Sequence, residues 1–145
     1  MPTAHRDPAI PDDAFLRRDR VRHLVRDLLG CECPEEVFED VLVAYPARLE
    51  HRALPGSVKI VVGGRLIVLL VPVGALADLE KEARSLLVRG RAMRDTCGLN
   101  RLRLVLVGTV APAVRRRLER AAARLDARTH VHALPTAQLR NRRSA

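Results

Sequence analysis

VKIVVGGRLIVLLV, residues 58–71, is the stretch of sequence that decides the fold of this chain. Two runs of β-branched and apolar residues flank Gly63-Gly64, and adjacent glycines supply the positive φ angles that a two-residue hairpin turn needs. The first run, 58–62, alternates weakly, whereas the second, 65–71, is almost wholly apolar. Because a strand covered on both faces loses the alternation of apolar and polar residues, the second run predicts an interior strand.

The chain after this hairpin alternates between helical and strand patterns. Apolar residues recur at helical spacing over 75–93, with Gly98 as the C-terminal stop, and a second helix begins near Pro112. Apolar runs predict strands at 102–108 and 129–134. Strands that are joined through a helix pair in parallel with a right-handed crossover, so this half of the chain predicts parallel pairing.

One helix and one strand precede the hairpin. Apolar residues between Val21 and Leu29 recur at helical spacing, and Gly30 is a natural left-handed helix stop. Residues 41–45 predict a strand that ends before Pro46, and the segment 48–54 is ambiguous.

These elements together predict a single α/β domain. Its sheet is mixed and mostly parallel, has about five strands and carries helices on both faces, in the order α-β-β-β-α-β-α-β. A chain of 145 residues has the usual size of one domain. We expect a flexible arm at 1–11, the domain at 12–135 and a basic tail at 136–145.

The net charge of +9 comes almost entirely from arginine, because only Lys59 and Lys81 among the 26 basic residues are lysines. Such a bias also follows from a GC-rich genome. The chain has no Trp, one Tyr and two Phe, so it lacks the stacking platforms of single-strand binders. Contact between duplex phosphates and an arginine-rich helix face is a hypothesis that we do not favour; its residues would be Arg115, Arg116, Arg117, Arg120 and Arg124.

The sequence favours a cytoplasmic location and no membrane contact. The longest uncharged apolar stretch, 66–77, is too short to span a bilayer and contains Pro72 and Gly74. The first residues carry no apolar run of the kind found in secretory signals. Three cysteines, an odd number, fit a reducing compartment better than a disulfide framework.

Cys31-Glu32-Cys33-Pro34 is the only compact cluster of potentially reactive side chains. Pro34 and the acidic residues after it predict the first turn of a helix, which places Cys33 at or near an N-cap. There the helix dipole favours a thiolate, while the neighbouring glutamates oppose it. The two thiols could form a redox pair.

The same thiols could also bind a metal. Together with Cys97 and His23 they would supply soft ligands for zinc, or three thiolates of an iron–sulfur cluster. Two observations weaken this hypothesis: the fourth thiolate and the usual C-x2-C spacing are missing. In addition, Cys97 continues the apolar face of its helix, where a buried cysteine is usually an inert hydrophobe. We therefore favour structural cysteines.

No catalytic set is assembled in the sequence. Gly63-Gly64 joins two strands, whereas a phosphate-binding loop leads from a strand into a helix. The chain has no Gly-x-Ser-x-Gly elbow. His130 and His132 fall on the same side of a short strand, where we expect solvated histidines.

Three functional hypotheses follow, in this order. The first is a non-catalytic α/β domain that acts by protein association, as a homodimer or an accessory subunit. The second is a cysteine-dependent metal-binding or redox protein centred on Cys31 and Cys33. The third is duplex nucleic-acid binding through the arginine-rich helix face.

Overall fold

The computed structural model describes residues 18–49 and 52–140. The predicted arm at 1–11, the predicted start of the domain at 12–17 and the last tail residues, 141–145, lie outside the described residues.

A five-stranded sheet forms the centre of the protein, with the strand order β1-β4-β5-β6-β7. The β1–β4 and β4–β5 pairs are antiparallel, and the β5–β6 and β6–β7 pairs are parallel. Four of the five strands therefore point the same way, and β4 alone is reversed. The strands are β1 (Val41–Ala44), β4 (Val58–Val62), β5 (Leu66–Pro72), β6 (Arg101–Val107) and β7 (Thr129–Leu134).

Helices cover both faces of this sheet, which confirms the predicted single α/β domain. One face packs against α1 (Arg18–Arg22), its π-helical continuation His23–Leu28, a 3-10 helix at Glu35–Glu39 and α4 (Thr136–Arg140). The other face packs against α2 (Leu79–Thr96) and α3 (Pro112–Leu125). Residues 66–71 of the central strand β5 are all buried, as the loss of alternation in that segment predicts.

The ambiguous segment forms a small second sheet. Strand β2 (Ala47–Leu49) pairs in antiparallel fashion with β3 (Arg52–Leu54). Ala47 and Leu49 are buried in the same apolar cluster as α2 and α3, so this hairpin extends the cover on that face of the main sheet.

The turn between β4 and β5 differs from the predicted two-residue turn. Val62 pairs with Leu66, which leaves three residues, 63–65, in the turn. Gly63 and Gly64 have φ angles of 62° and 63°, so both occupy the left-handed region that favours glycine. Gly63 is also sterically required, because a Cβ atom there would lie 2.5 Å from Val37 Cβ.

Helix α2 begins and ends later than the predicted helix at 75–93. Val73–Ala75 forms a short 3-10 turn instead, and Asp78 is the N-cap that accepts a hydrogen bond from the Lys81 N–H at 3.4 Å. The predicted stop at Gly98 is confirmed by its φ of 71°.

The first helix widens before it ends. The Leu29 N–H donates to the Leu24 carbonyl, five residues back, at 2.9 Å. The Cys31 N–H donates to the Val25 carbonyl, six residues back, also at 2.9 Å. Between them Gly30 has a φ of 71°, as expected for a left-handed stop. The start of the cysteine loop, residues 31–34, is therefore hydrogen-bonded to the last turn of the helix.

A buried arginine joins α2 to the loop before β7. The Arg94 side chain is 1% exposed, and its Nη2 lies 2.8 Å from both Asp95 Oδ1 and Asp126 Oδ2. Arg94 Nη1 donates to Thr129 Oγ1 at 3.1 Å. This hydrogen bonding from Arg94 lowers the pKa of the Asp126 carboxyl well below its usual range.

Within the described residues, no helix is long and apolar enough to cross a membrane.

Candidate thiol site

The two cysteines of the sequence cluster lie side by side. Cys31 Sγ and Cys33 Sγ are 3.0 Å apart, and both side chains are half-buried and free. They occupy the loop between the π-helical turn and the 3-10 helix, where they pack against the edge of the apolar core. A contact this short places each sulfur within reach of the other for hydrogen bonding or oxidation.

Arg26 fixes the second cysteine. Its Nη2 donates to the Cys33 carbonyl at 2.6 Å, and its Nη1 lies 3.1 Å from Glu35 Oε1. The same guanidinium lies over the Phe38 ring, 5.4 Å from the centroid. The loop is therefore held at both ends, since the Cys31 backbone is bonded to the preceding helix.

A pocket of about 330 Å³ opens beside the two thiols. Its walls are formed by the cysteine loop and by the amino ends of β5 and β6. Three arginines line it, namely Arg65, Arg101 and Arg103. Among the residues that the structure describes, none of the three forms an ion pair with a carboxylate.

Arg103 is held in this pocket by neutral groups. Its Nη1 lies 2.8 Å from His132 Nε2 and 3.4 Å from the Leu29 carbonyl oxygen. Burial, followed by the charge of Arg103, lowers the pKa of His132 to about 4, so the imidazole is neutral near pH 7 and accepts the bond. The Arg103 Nε is buried and has no acceptor in the described part of the chain.

The predicted solvated histidines are therefore wrong. His130 and His132 lie on the edge strand β7 as expected, but both side chains are partly buried. Burial, with the charges of Arg103 and Arg101, also lowers the pKa of His130.

Cys33 lies next to an N-cap, as expected. The N-cap residue itself is Pro34, and the helix that follows is a five-residue 3-10 helix. Burial, the hydrogen bond with Cys31 and the charge of Cys31 raise the pKa of the Cys33 thiol to about 11, although Arg65 and Arg103 oppose this shift. Cys33 therefore keeps its proton near neutral pH.

The structure does not gather the four predicted metal ligands. His23 is exposed and its Nδ1 lies 2.7 Å from Asp27 Oδ2. Cys97 is exposed at the C-cap of α2, which corrects the expectation that it continues a buried face. No group of three or more His, Cys, Asp or Glu side chains in the described ranges could hold a metal ion. Zinc or iron–sulfur binding stays a prediction that this geometry does not support.

The predicted nucleic-acid face lies on α3. All five arginines are exposed, but Arg117 is held by Glu80, with Nε–Oε2 at 2.8 Å and Nη2–Oε1 at 2.9 Å. At about 100° of rotation per residue, Arg116, Arg120 and Arg124 share one side of the helix, and Arg115 lies apart. The face that remains for phosphates has three arginines.

The sequence analysis missed the three pocket arginines. One signal was present: Arg103 interrupts an otherwise apolar strand, and a charged residue at an inward position of a buried strand needs a local explanation. Arg65 and Arg101 gave no such signal, because they come together only through the pairing of β5 with β6.

The site combines two thiols with three guanidinium groups around one pocket. Two adjacent thiols can be oxidised to a disulfide, and guanidinium groups bind carboxylates and phosphates. No protein-family model, no curated protein and no solved structure matches this chain.

Proposed function

We propose that Cys31 and Cys33 form a redox-active dithiol that undergoes exchange with disulfides. This is the cysteine-dependent hypothesis in its redox form, and it takes precedence over the association hypothesis. The observation that carries it is the 3.0 Å separation of the two Sγ atoms at the wall of a pocket. A redox pair needs only these two sulfurs, whereas zinc needs about four ligands.

The two cysteines have different roles in this exchange. The thiolate of Cys31 attacks one sulfur of a substrate disulfide, forms a mixed disulfide and releases the first substrate thiolate. Cys33 then loses its proton to water, attacks Cys31 Sγ and releases the second substrate thiolate. The substrate disulfide is reduced by two electrons and the protein dithiol is oxidised by two.

The assignment of roles follows from the local environment. Because the pKa of Cys33 is raised to about 11, Cys33 is a poor first nucleophile near neutral pH. Once Cys31 is part of a mixed disulfide, it can no longer be a thiolate, so the charge of Cys31 no longer contributes to the raised pKa of Cys33. Cys33 then becomes more acidic at the stage when its attack is needed.

Mass spectrometry after alkylation tests this proposal. The starting protein carries Cys97→Ser, which removes the exposed third thiol, and the oxidant is the uncharged 2-hydroxyethyl disulfide. We expect an internal disulfide between Cys31 and Cys33. With Cys33→Ser added, a stable mixed disulfide should remain on Cys31. With Cys31→Ser added, the reaction should be slower, because burial, the largest cause of the raised pKa of Cys33, acts without Cys31.

Two results would contradict the proposal. The first is that Cys31 and Cys33 stay reduced in the Cys97→Ser protein, although the exposed Cys97 reacts with the same disulfide in a variant that carries Cys31→Ser and Cys33→Ser. The other is an equal rate of attack by Cys31 and Cys33 in the two single-cysteine variants, which would remove the division of roles.

We propose self-association as a second candidate function, supported by a separate surface. Strand β1 is an edge of the main sheet, and Leu42 and Tyr45 at this edge are 65% and 51% exposed. An edge strand with exposed apolar side chains can pair with a second copy of the chain. Analytical ultracentrifugation should then show a dimer that Leu42→Glu dissociates, and a monomer over the whole concentration range would contradict this candidate.

A further inference from the structure

We infer that the pocket beside Cys31 and Cys33 takes small disulfides that carry carboxylate groups. The inference rests on the proposed dithiol function and adds the substrate class. Two observations support it: the size of the pocket, and the three arginines that line it without a carboxylate partner in the described residues. The charge that develops during the exchange supports it as well.

The charge of the pocket is positive. Arg65, Arg101 and Arg103 line it without a carboxylate partner in the described residues, and the acidic side chain that lines it is the exposed Glu32. Elsewhere, Arg22, Arg26, Arg94 and Arg117 each have a carboxylate within 3.1 Å. The pocket therefore brings together three guanidinium groups that no carboxylate of the described residues occupies.

The Arg103 guanidinium and the backbone that carries Arg65 and Arg101 are held in position before a ligand arrives. Arg103 is fixed by His132 Nε2 and by the Leu29 carbonyl, and the carbonyl of Arg65 accepts bonds from the N–H groups of Asn100 and Arg101 at 2.7 Å and 3.0 Å. These bonds tie the turn after β4 to the start of β6. Preorganised guanidinium groups lose little conformational entropy when they bind a carboxylate.

The volume suits a small molecule. A pocket of about 330 Å³ lies at the lower end of the range for small-molecule sites. It can receive one half of a small disulfide, with its sulfur against Cys31 and its carboxylate against the arginines.

Disulfide exchange is also favoured by a positively charged pocket wall. Each attack releases a thiolate, so negative charge develops on the departing sulfur beside the pocket wall. Fixed positive groups near that sulfur stabilise the transition state in addition to binding the carboxylates. The stabilisation of the departing thiolate acts on every disulfide, whereas the binding of carboxylates favours an anionic disulfide over a cationic one.

Three small disulfides of different charge test the inference. The probes are oxidised glutathione, which carries carboxylates, neutral 2-hydroxyethyl disulfide and cationic cystamine. Rates of Cys31–Cys33 oxidation in the Cys97→Ser protein are divided by the rates of a reference thiol. That reference is the exposed Cys97 in a variant that carries Cys31→Ser and Cys33→Ser, and it corrects for the intrinsic reactivity of each probe.

The expected normalised rates fall in the order oxidised glutathione, 2-hydroxyethyl disulfide, cystamine, with about a tenfold difference between the first and the second at low salt. Added salt should reduce this difference. Arg65→Gln together with Arg101→Gln should remove most of the preference for oxidised glutathione. The ratio of two probes is the readout, because Arg65 also acts on the pKa of Cys33 and so affects all rates.

Arg48→Gln is the matched control, since Arg48 is an exposed arginine on β2 that does not line the pocket. It should leave the ratio unchanged. Equal normalised rates for all three probes, or a ratio that the double arginine variant does not alter, would overturn the inferred substrate class and leave the dithiol function standing. Failure of all three probes to oxidise the pair would instead overturn the dithiol function itself.

Discussion

Arg94 is buried and Arg103 is partly buried, and the surroundings of the two side chains differ. Arg94 is 1% exposed and lies against two carboxylates and a hydroxyl group at the end of α2. Arg103 lies against a neutral imidazole and a backbone carbonyl at the wall of the thiol pocket. The first guanidinium is neutralised by the protein, and the second is not.

This difference separates arginines that hold the fold together from arginines that are available to a ligand. Removing one partner of a buried ion pair leaves an uncompensated charge, which is costly. Removing a guanidinium that has no counter-charge also removes a repulsion from its positive neighbours. The Arg94 region should therefore determine stability, whereas the arginines at the pocket should determine binding.

The largest expected effect is on the Arg94 region. Arg94→Ala should lower the free energy of unfolding by about 3 kcal/mol, because Asp126 and Thr129 lose the donor around which they are arranged. Urea denaturation followed by circular dichroism measures this change. Arg101→Ala, at the exposed pocket rim, should change it by less than about 0.5 kcal/mol, and equal losses in the two variants would end the distinction between the regions.

A smaller effect is expected at the turn behind the pocket. Gly63→Ala should lower the free energy of unfolding by about 2–3 kcal/mol, because it adds a clash with Val37, which lines the pocket, to the strain of a positive φ. Gly64→Ala has the same φ strain without a neighbour within 4 Å, so it should cost about 1 kcal/mol. Thermal melts of the two variants measure this difference. An equal loss of stability in both would show that the clash with Val37 does not contribute.

A further effect concerns the pH dependence of stability and His132, the partner of Arg103. The pKa of His132 is lowered to about 4 in the folded protein, below the ordinary value of 6.5. As the pH falls from 6.5 towards 4, the unfolded chain binds a proton that the folded chain refuses, so the free energy of unfolding falls. His132→Gln should reduce this slope without abolishing it, because the pKa of His130 is lowered too.

The same pH titration also reports on the Arg94 region, through Asp126. Its pKa is lowered by Arg94, so its contribution to stability is present above the ordinary value of 3.8 and is lost as the pH falls below that value. Urea midpoints in buffers from pH 7 to about pH 3 should therefore show two windows. Asp126→Asn should change the lower window, and an identical profile for wild type and His132→Gln would contradict the role of His132.

The sequence patterns were sufficient for most of the fold. Central strand β5, helix α3 and the stops at Gly30 and Gly98 depend on local signals, such as apolar runs, helical spacing and glycine conformation. The three-residue strands β2 and β3 are too short to carry a period, which is why that segment was ambiguous.

The cysteines of the site could be predicted from the sequence, but the arginines could not. Cys31 and Cys33 are two residues apart, so their contact could be anticipated from the chain. Arg65 and Arg101 come together because Leu66 pairs with Arg101 in the parallel β5–β6 register, and a single sequence does not fix that register. Cys97 follows the apolar face of α2 by helical spacing, but it lies at the C-cap of the helix and is exposed there.

The π-helical turn at His23–Leu28 makes the site respond differently to a longer and to a shorter chain. A π-turn accommodates one more residue than an α-turn over the same rise. Deleting a single residue within this segment would let the helix return to regular geometry with the emerging loop still in place. Inserting one would turn the loop by about 100° around the helix axis. Cys31 and Cys33 would then point away from the arginine-lined wall although every pocket residue was still present, so an insertion here would act as a substitution of the whole site.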